Sequence, residues 1–139
     1  MDADMLNENK TLVEHFINNT WGKGRFNLVR QLISKDFLYH ASQSMQSQGF
    51  DGLVEDIQYL RSAIGDYDLT IEDLMSEGDR AISVMTLCGT FNKPIFGFQP
   101  NHKLVGITIT VTWSLKRNRI RHMNMMVDIA HMQRQVAAA

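Results

Sequence analysis

Cysteine and proline are scarce in this chain. One cysteine, Cys88, and two prolines, Pro94 and Pro100, stand among 139 residues. A lone cysteine excludes an internal disulfide and a cysteine-rich metal site. Cys88 lies inside an apolar strand pattern with no base beside it, so it reads as a buried, inert thiol rather than a nucleophile. Both prolines fall in one segment, which marks the single long loop. Charge of one sign is also missing. Fourteen Lys and Arg oppose fifteen Asp and Glu, for a net charge of −1, which lacks the basic footprint of a nucleic-acid binder. The one basic cluster, Lys116, Arg117, Arg119 and Arg121, reads as a solvated hairpin tip. No apolar run is long enough for a membrane span. The acidic start, Met1-Asp2-Ala3-Asp4, lacks the order of a signal peptide, so a cytoplasmic protein is expected. No phosphate loop, dinucleotide fingerprint or nucleophile elbow is present. The five histidines are scattered over different elements, and no metal or cofactor is expected.

What is there reads as one domain. Apolar residues make up 44% and charged residues 21%, an ordinary globular balance. Leu6, Lys10, Val13, Ile17 and Trp21 recur near helical spacing, widened by Leu12 and Phe16 and ended by Gly22 and Gly24. Phe26, Val29, Arg30, Leu32 and Ile33 suggest a second, shorter helix. Residues 37–40 form a short strand candidate, and residues 42–49 are polar and turn-like. Leu53, Ile57, Leu60 and Ile64 mark a helix over 50–64. Strands begin at residue 69, with a tight turn over 76–80, a long run over 80–92, a proline loop over 93–102, a strand over 103–115, a turn over 116–119 and a last strand over 120–132. Residues 133–139 look like a frayed tail. Helices first and an antiparallel meander afterwards make an α+β layout. A curved antiparallel sheet wrapped around the helices would leave a cone-shaped cavity.

The last strand sorts its side chains by alternation. His122, Asn124, Met126 and Asp128 share one face, and Met123, Met125, Val127 and Ile129 share the other. In one reading the polar face meets solvent and the methionines are core. In the other the polar face lines the cavity and the methionines cover the outside of the sheet.

Five segments carry a resemblance. Asn9-Lys10-Thr11-Leu12-Val13 with Trp21-Gly22-Lys23-Gly24, Asp36-Phe37-Leu38-Tyr39-His40, Glu72 to Arg80 with its E-G-D-R turn, Gly89-Thr90-Phe91, and the loop Phe96 to Lys103 stand in an order that resembles the SnoaL-like polyketide cyclases. These belong to the nuclear transport factor 2-like superfamily, which also holds ketosteroid isomerase. The likeness covers about residues 7–130. His122 and Asn124 stand where relatives often carry an acid and a tryptophan, and His102 replaces a loop glycine. The resemblance implies a cystatin-like α+β barrel with the polar face of the last strand turned into the cone.

It further implies Asp128 as the acid/base and His40 as a second catalytic group on the cavity wall. An aspartate base on this fold has precedent in ketosteroid isomerase. Asn124 could hold an enolate oxygen, with His122, Trp113, Phe98, Trp21 and Tyr59 as substrate-binding residues. Phe96-Gly97-Phe98 would act as a lid. The expected function is binding of a small apolar carbonyl or polycyclic compound, with cofactor-free aldol cyclisation, enolisation or isomerisation. Non-catalytic binding of a hydrophobic ligand and a dimeric interaction module are the alternatives. A homodimer is expected through the outer sheet face bearing Met123, Met125 and Val127.

Overall fold

The computed structural model describes residues 3–41 and 47–138. Helix α1 (Ala3–Ile17) runs into a one-turn π-helix (Asn18–Gly22). Strand β1 (Ile33–His40) and the two-residue β2 (Ser47–Gln48) precede α2 (Phe50–Ala63). Four long strands come next, β3 (Ile64–Glu77), β4 (Arg80–Phe91), β5 (Leu104–Lys116) and β6 (Arg119–Val127), and the chain closes with α3 (Ile129–Ala138). The strands form one sheet in the order β2-β1-β6-β5-β4-β3. All neighbours are antiparallel except β1 and β6, which run parallel. The sheet is therefore mixed, curved and unclosed, and the chain is α+β. Among the described residues, no helix is long and apolar enough to cross a membrane.

The concave face of the sheet and the helices share one core. Val13, Phe16 and Ile17 of α1 and Leu53, Ile57 and Leu60 of α2 meet Met85, Leu87, Ile107, Ile109 and Val111 of the sheet. Strict alternation puts every second residue of β5 in this core, from Val105 to Leu115, as a half-buried strand requires. Gly89 supplies a close approach between strands. A Cβ there would lie 2.6 Å from the Gly65 carbonyl oxygen, at the irregularity in β3 between Gly65 and Asp68.

Several expectations about elements change: β1 begins at Ile33 rather than at residue 37, and β3 begins at Ile64 rather than at residue 69. Residues 26–33 are not a helix but two short 3-10 turns, Phe26–Leu28 and Arg30–Leu32, and Ile33 already pairs with Ile120 of β6. Pairing with a buried strand outweighs a weak local helical pattern. The polar segment over 42–49 lies outside the described residues at 42–46, and Ser47 and Gln48 pair with β1.

The last strand ends at Val127, not Met132, and residues 133–138 of the expected tail continue helix α3. Asp128 Oδ1 accepts the His131 N–H at 3.0 Å, which caps α3. Ile129, Met132 and Val136 then recur at helical spacing, with Met132 fully buried. Beyond the end of β6 the edge of β5 is covered by this helix. The Gln135 side chain donates to the Gly106 carbonyl and accepts the Gly106 N–H, both at 2.7 Å, as a neighbouring strand would. Gln135→Ala is expected to lower the unfolding free energy by about 1–3 kcal/mol, measured by denaturant titration. It should also speed hydrogen exchange at Gly106. An unchanged midpoint would mean that α3 is not docked.

Candidate functional site

A cavity of about 380 Å³ opens between α2, the π-turn, the end of β1 and the proline loop. Its wall is mostly apolar, with Ile57, Leu60, Ile95 and Met125 prominent. Four of the lining residues have side chains that carry a polar atom: Trp21, Tyr39, Asp56 and Tyr59.

Trp21 is placed by the π-turn. Thr20 Oγ1 donates to the Phe16 carbonyl at 2.7 Å, and Asn19 Nδ2 donates to the His15 carbonyl at 2.8 Å. These side chains occupy carbonyls of the preceding turn, which widens the helix there. The Trp21 carbonyl accepts from Arg61 at 2.6 Å and from the Tyr67 hydroxyl at 2.5 Å. Its ring is fully buried, edge-on to Phe16. Its indole N–H has no hydrogen-bond partner among the described residues.

Tyr39 is inward on β1 and fully buried. Its hydroxyl donates to Asp56 Oδ2 at 3.0 Å. Asp56 is exposed at the cavity rim, and no other hydrogen bond or ion pair reaches it among the described residues. Burial, and then the charge of Asp56, push the Tyr39 phenol far above its ordinary value of 10.0. Tyr39 is thus a neutral donor that orients a carboxylate. The Tyr59 hydroxyl donates to the Pro94 carbonyl and ties α2 to the proline loop. In that loop Ile95 and Phe98 exchange backbone hydrogen bonds at 3.2 and 2.9 Å, while Phe96 and Gly97 turn with φ of 54° and 85°. Phe96 and Gly97 form a flap on the cavity wall.

The structure brings together Trp21 and Tyr59 of the expected site and leaves the others elsewhere. Met123 and Val127 are buried and Met125 lines the cavity, whereas Asn124 and Met126 are exposed. The methionine face of β6 therefore points inward and the polar face outward, opposite to what the resemblance implies. Asp128 is exposed and caps α3. His40 shares the outer side of β1 with Leu38, opposite Asn124, with Ser47 Oγ 3.5 Å from its Nδ1. His122 is half-buried opposite Ser114 on the same outer side. Trp113 is buried in the core and its indole N–H donates to Ser83 Oγ at 2.9 Å. Phe98 closes the flap turn but is not on the cavity wall. Cys88 is exposed rather than buried, because β4 turns it to the convex side.

Sequence reasoning misses Tyr39 and Asp56, although each carries a signal. Tyr39 has the inward parity of Phe37 on β1, and Asp56 and Tyr59 flank the apolar stripe Leu53, Ile57, Leu60 of α2. Among the described residues no three His, Cys, Asp or Glu side chains gather as a metal-ligand group.

The Tyr39 environment sets a pH dependence. A phenol whose folded value is raised favours the folded state fully below pH 10, where the unfolded phenol is still protonated. That contribution is lost as pH rises past the unfolded value. Tyr67, raised by burial against the opposing effect of Arg61, acts in the same sense. Stability should fall above about pH 10, and Tyr39→Phe should flatten the fall. A titration of tyrosine absorbance in which all three tyrosines ionise with midpoints near pH 10 would contradict this environment.

Comparison with known proteins agrees with the architecture. The family model for SnoaL-like polyketide cyclases matches residues 11–136. A protein from Jannaschia sp. CCS1 assigned to that family is similar in structure, with a TM-score of 0.84 at 17% identity, over 100% of this chain and 98% of that one. TsrD from Streptomyces laurentii gives 0.79 at 21% identity, over 100% and 99%. IdmH from Streptomyces antibioticus gives 0.79 at 17%, over 91% and 96%. Curated proteins give no match. Structural likeness at such identities speaks for the fold. The family model spans nearly the whole chain, and the chain belongs to the SnoaL-like polyketide cyclase family.

Proposed function

We propose that the cone binds a small, flat, apolar carbonyl compound and that Asp56 moves a proton on it. The reaction class is cofactor-free acid/base chemistry: enolisation, aldol cyclisation or isomerisation. The observation that carries this is the Tyr39–Asp56 hydrogen bond, 3.0 Å, on the wall of a mostly apolar cavity. A carboxylate held by one phenol keeps lone pairs free for a proton. An apolar ligand seated beside it displaces water and strengthens its interaction with a C–H acid. Tyr39 is the positioning residue and Asp56 the base. Family membership supports the same class of chemistry.

The exposure of Asp56 favours a second reading, in which the cone holds a hydrophobic ligand without turning it over. Pairing of two copies through the outer sheet face also stays within the proposal. The exposed apolar residues there include Leu38, Met75, Ile82, Leu104 and Met126, not Met123, Met125 and Val127.

Deuterium exchange at the acidic carbon of 2-tetralone, followed by NMR, separates these readings. The protein should accelerate exchange, and Asp56→Asn should reduce the acceleration by on the order of 10²-fold. Binding without exchange would establish the non-catalytic reading. Loss in Asp128→Asn with none in Asp56→Asn would return the chemistry to the end of β6.

A further inference from the structure

We propose that the hollow between the start of β1 and the β5–β6 turn binds a clustered-phosphate group, two or more joined phosphates carried by a small molecule. The site lies apart from the cone: no residue lines both, so the two readings stand or fall separately.

Charge is concentrated in this hollow of about 410 Å³. Five of its seven lining residues are cationic: Lys35, Lys116, Arg117, Arg119 and Arg121. They are five of the 14 Lys and Arg in a chain whose net charge is −1. Lys35, Lys116, Arg117 and Arg119 are exposed, and none of them is held in an ion pair among the described residues. The single acid on the wall, Asp36, is committed at both oxygens. Arg121 pairs with its Oδ2 at 3.1 Å, and Ser34 Oγ donates to its Oδ1 at 2.8 Å. Across the turn, Glu8 and Asp79 border a second hollow with Lys116, Arg117 and Arg121 but pair with none of them. Four cations are therefore free to meet an anion.

The turn keeps these cations against local preference. Lys116 and Arg119 stand directly opposite each other in the ladder, a like-charge pair that weakens a hairpin. Arg117 and Asn118 make the turn between them with φ of 53° and 61°. That conformation favours Asn, Asp or Gly over Arg at its first position. The register shifts between Ser114 and Leu115 and leaves Arg121 as the extra residue of a bulge, a device that re-aims a side chain. A bound polyanion would relieve the repulsion that these choices create.

The surroundings narrow the kind of anion. Leu115 and Ile120, the apolar neighbours of the turn, are buried, so no apolar anchor for a lipid surface flanks the cations. A nucleic-acid strand needs a basic stripe that runs beyond one hollow. Phosphate oxygens suit both guanidinium forks and ammonium groups. Four free cations match more than one negative charge, and the hollow has the size of a small-molecule site.

Inorganic pyrophosphate is the probe, titrated at constant ionic strength and followed by calorimetry and ¹H–¹⁵N spectra. It should bind saturably, shift the amide signals of residues 34–36 and 116–121, and leave Met125 in the cone unmoved. It should bind about tenfold more tightly than inorganic phosphate, as expected for one added charge-assisted bond. Arg117→Asn should weaken it about tenfold, and Lys116→Thr combined with Arg119→Thr about a hundredfold. Asn suits the turn and Thr suits the strands. The variants should therefore melt no lower than the parent, which separates lost binding from lost fold. No saturable binding, equal affinity for phosphate and pyrophosphate, or unchanged affinity in the variants would overturn the proposal. A response confined to phosphatidylserine vesicles or to poly-glutamate would also overturn it, and would assign the patch to a lipid surface or an acidic protein.

Discussion

The Trp21 carbonyl is the joint on which the cone depends. It accepts from Arg61 on α2 and from Tyr67 on β3, so one backbone oxygen holds the π-turn, a helix and an edge strand at a common point. The Arg61 guanidinium also lies 5.9 Å from the centre of the Tyr67 ring, within cation–π range. Asn19 and Thr20 bond back to the preceding turn and make the wide turn that presents this oxygen. The π-turn is thereby held beside the cavity, and α2 is fixed so that Asp56 can reach Tyr39. Geometry at the site is a consequence of packing behind it.

Alternation governs the sheet on which that joint rests. Each long strand turns one set of side chains to the core and the other to the convex face. The period is legible in β6 from Met123, Met125 and Val127 against His122, Asn124 and Met126. Its direction is not, because a period of two is silent about which face is covered. The resemblance to relatives argues for the polar face inward. The residues alone favour the apolar one, and burial of Met123 and Val127 agrees with the residues. An irregularity between Ser114 and Leu115 keeps both Ile120 and Met123 inward, a shift that simple alternation from Ile120 does not foresee. Asp128, a catalytic carboxylate by resemblance, serves instead as the cap that starts α3.

The fold is legible where patterns are long: the helical stripes of α1 and α2, the E-G-D-R turn, and the Val-, Ile- and Thr-rich β5. Short elements are decided by their partners. Residues 26–33 have a helical pattern of about two turns, too little to resist pairing of Ile33 with Ile120. The end of the chain hides its helix because the apolar run through Ile129 continues the strand, although Asp128 and the spacing of Ile129, Met132 and Val136 mark a helix start. Of the site, Trp21 and Tyr59 can be named as aromatics near an apolar cone. Tyr39 and Asp56 are separated by 17 residues and meet only because α2 crosses the end of β1, a tertiary fact with no local signature.

Ligand binding on the concave side, against the methionine face of β6, is the central claim. Met125 and Met126 are adjacent in sequence and lie on opposite sides of the sheet, one on the cavity wall and the other 56% exposed. Methyl spectra of ¹³C-methionine-labelled protein, titrated with 2-acetylnaphthalene, compare the two faces within one strand. A saturable shift of the Met125 methyl with Met126 unmoved is the predicted result. A shift of Met126 with Met125 unmoved would contradict it and place binding on the convex face.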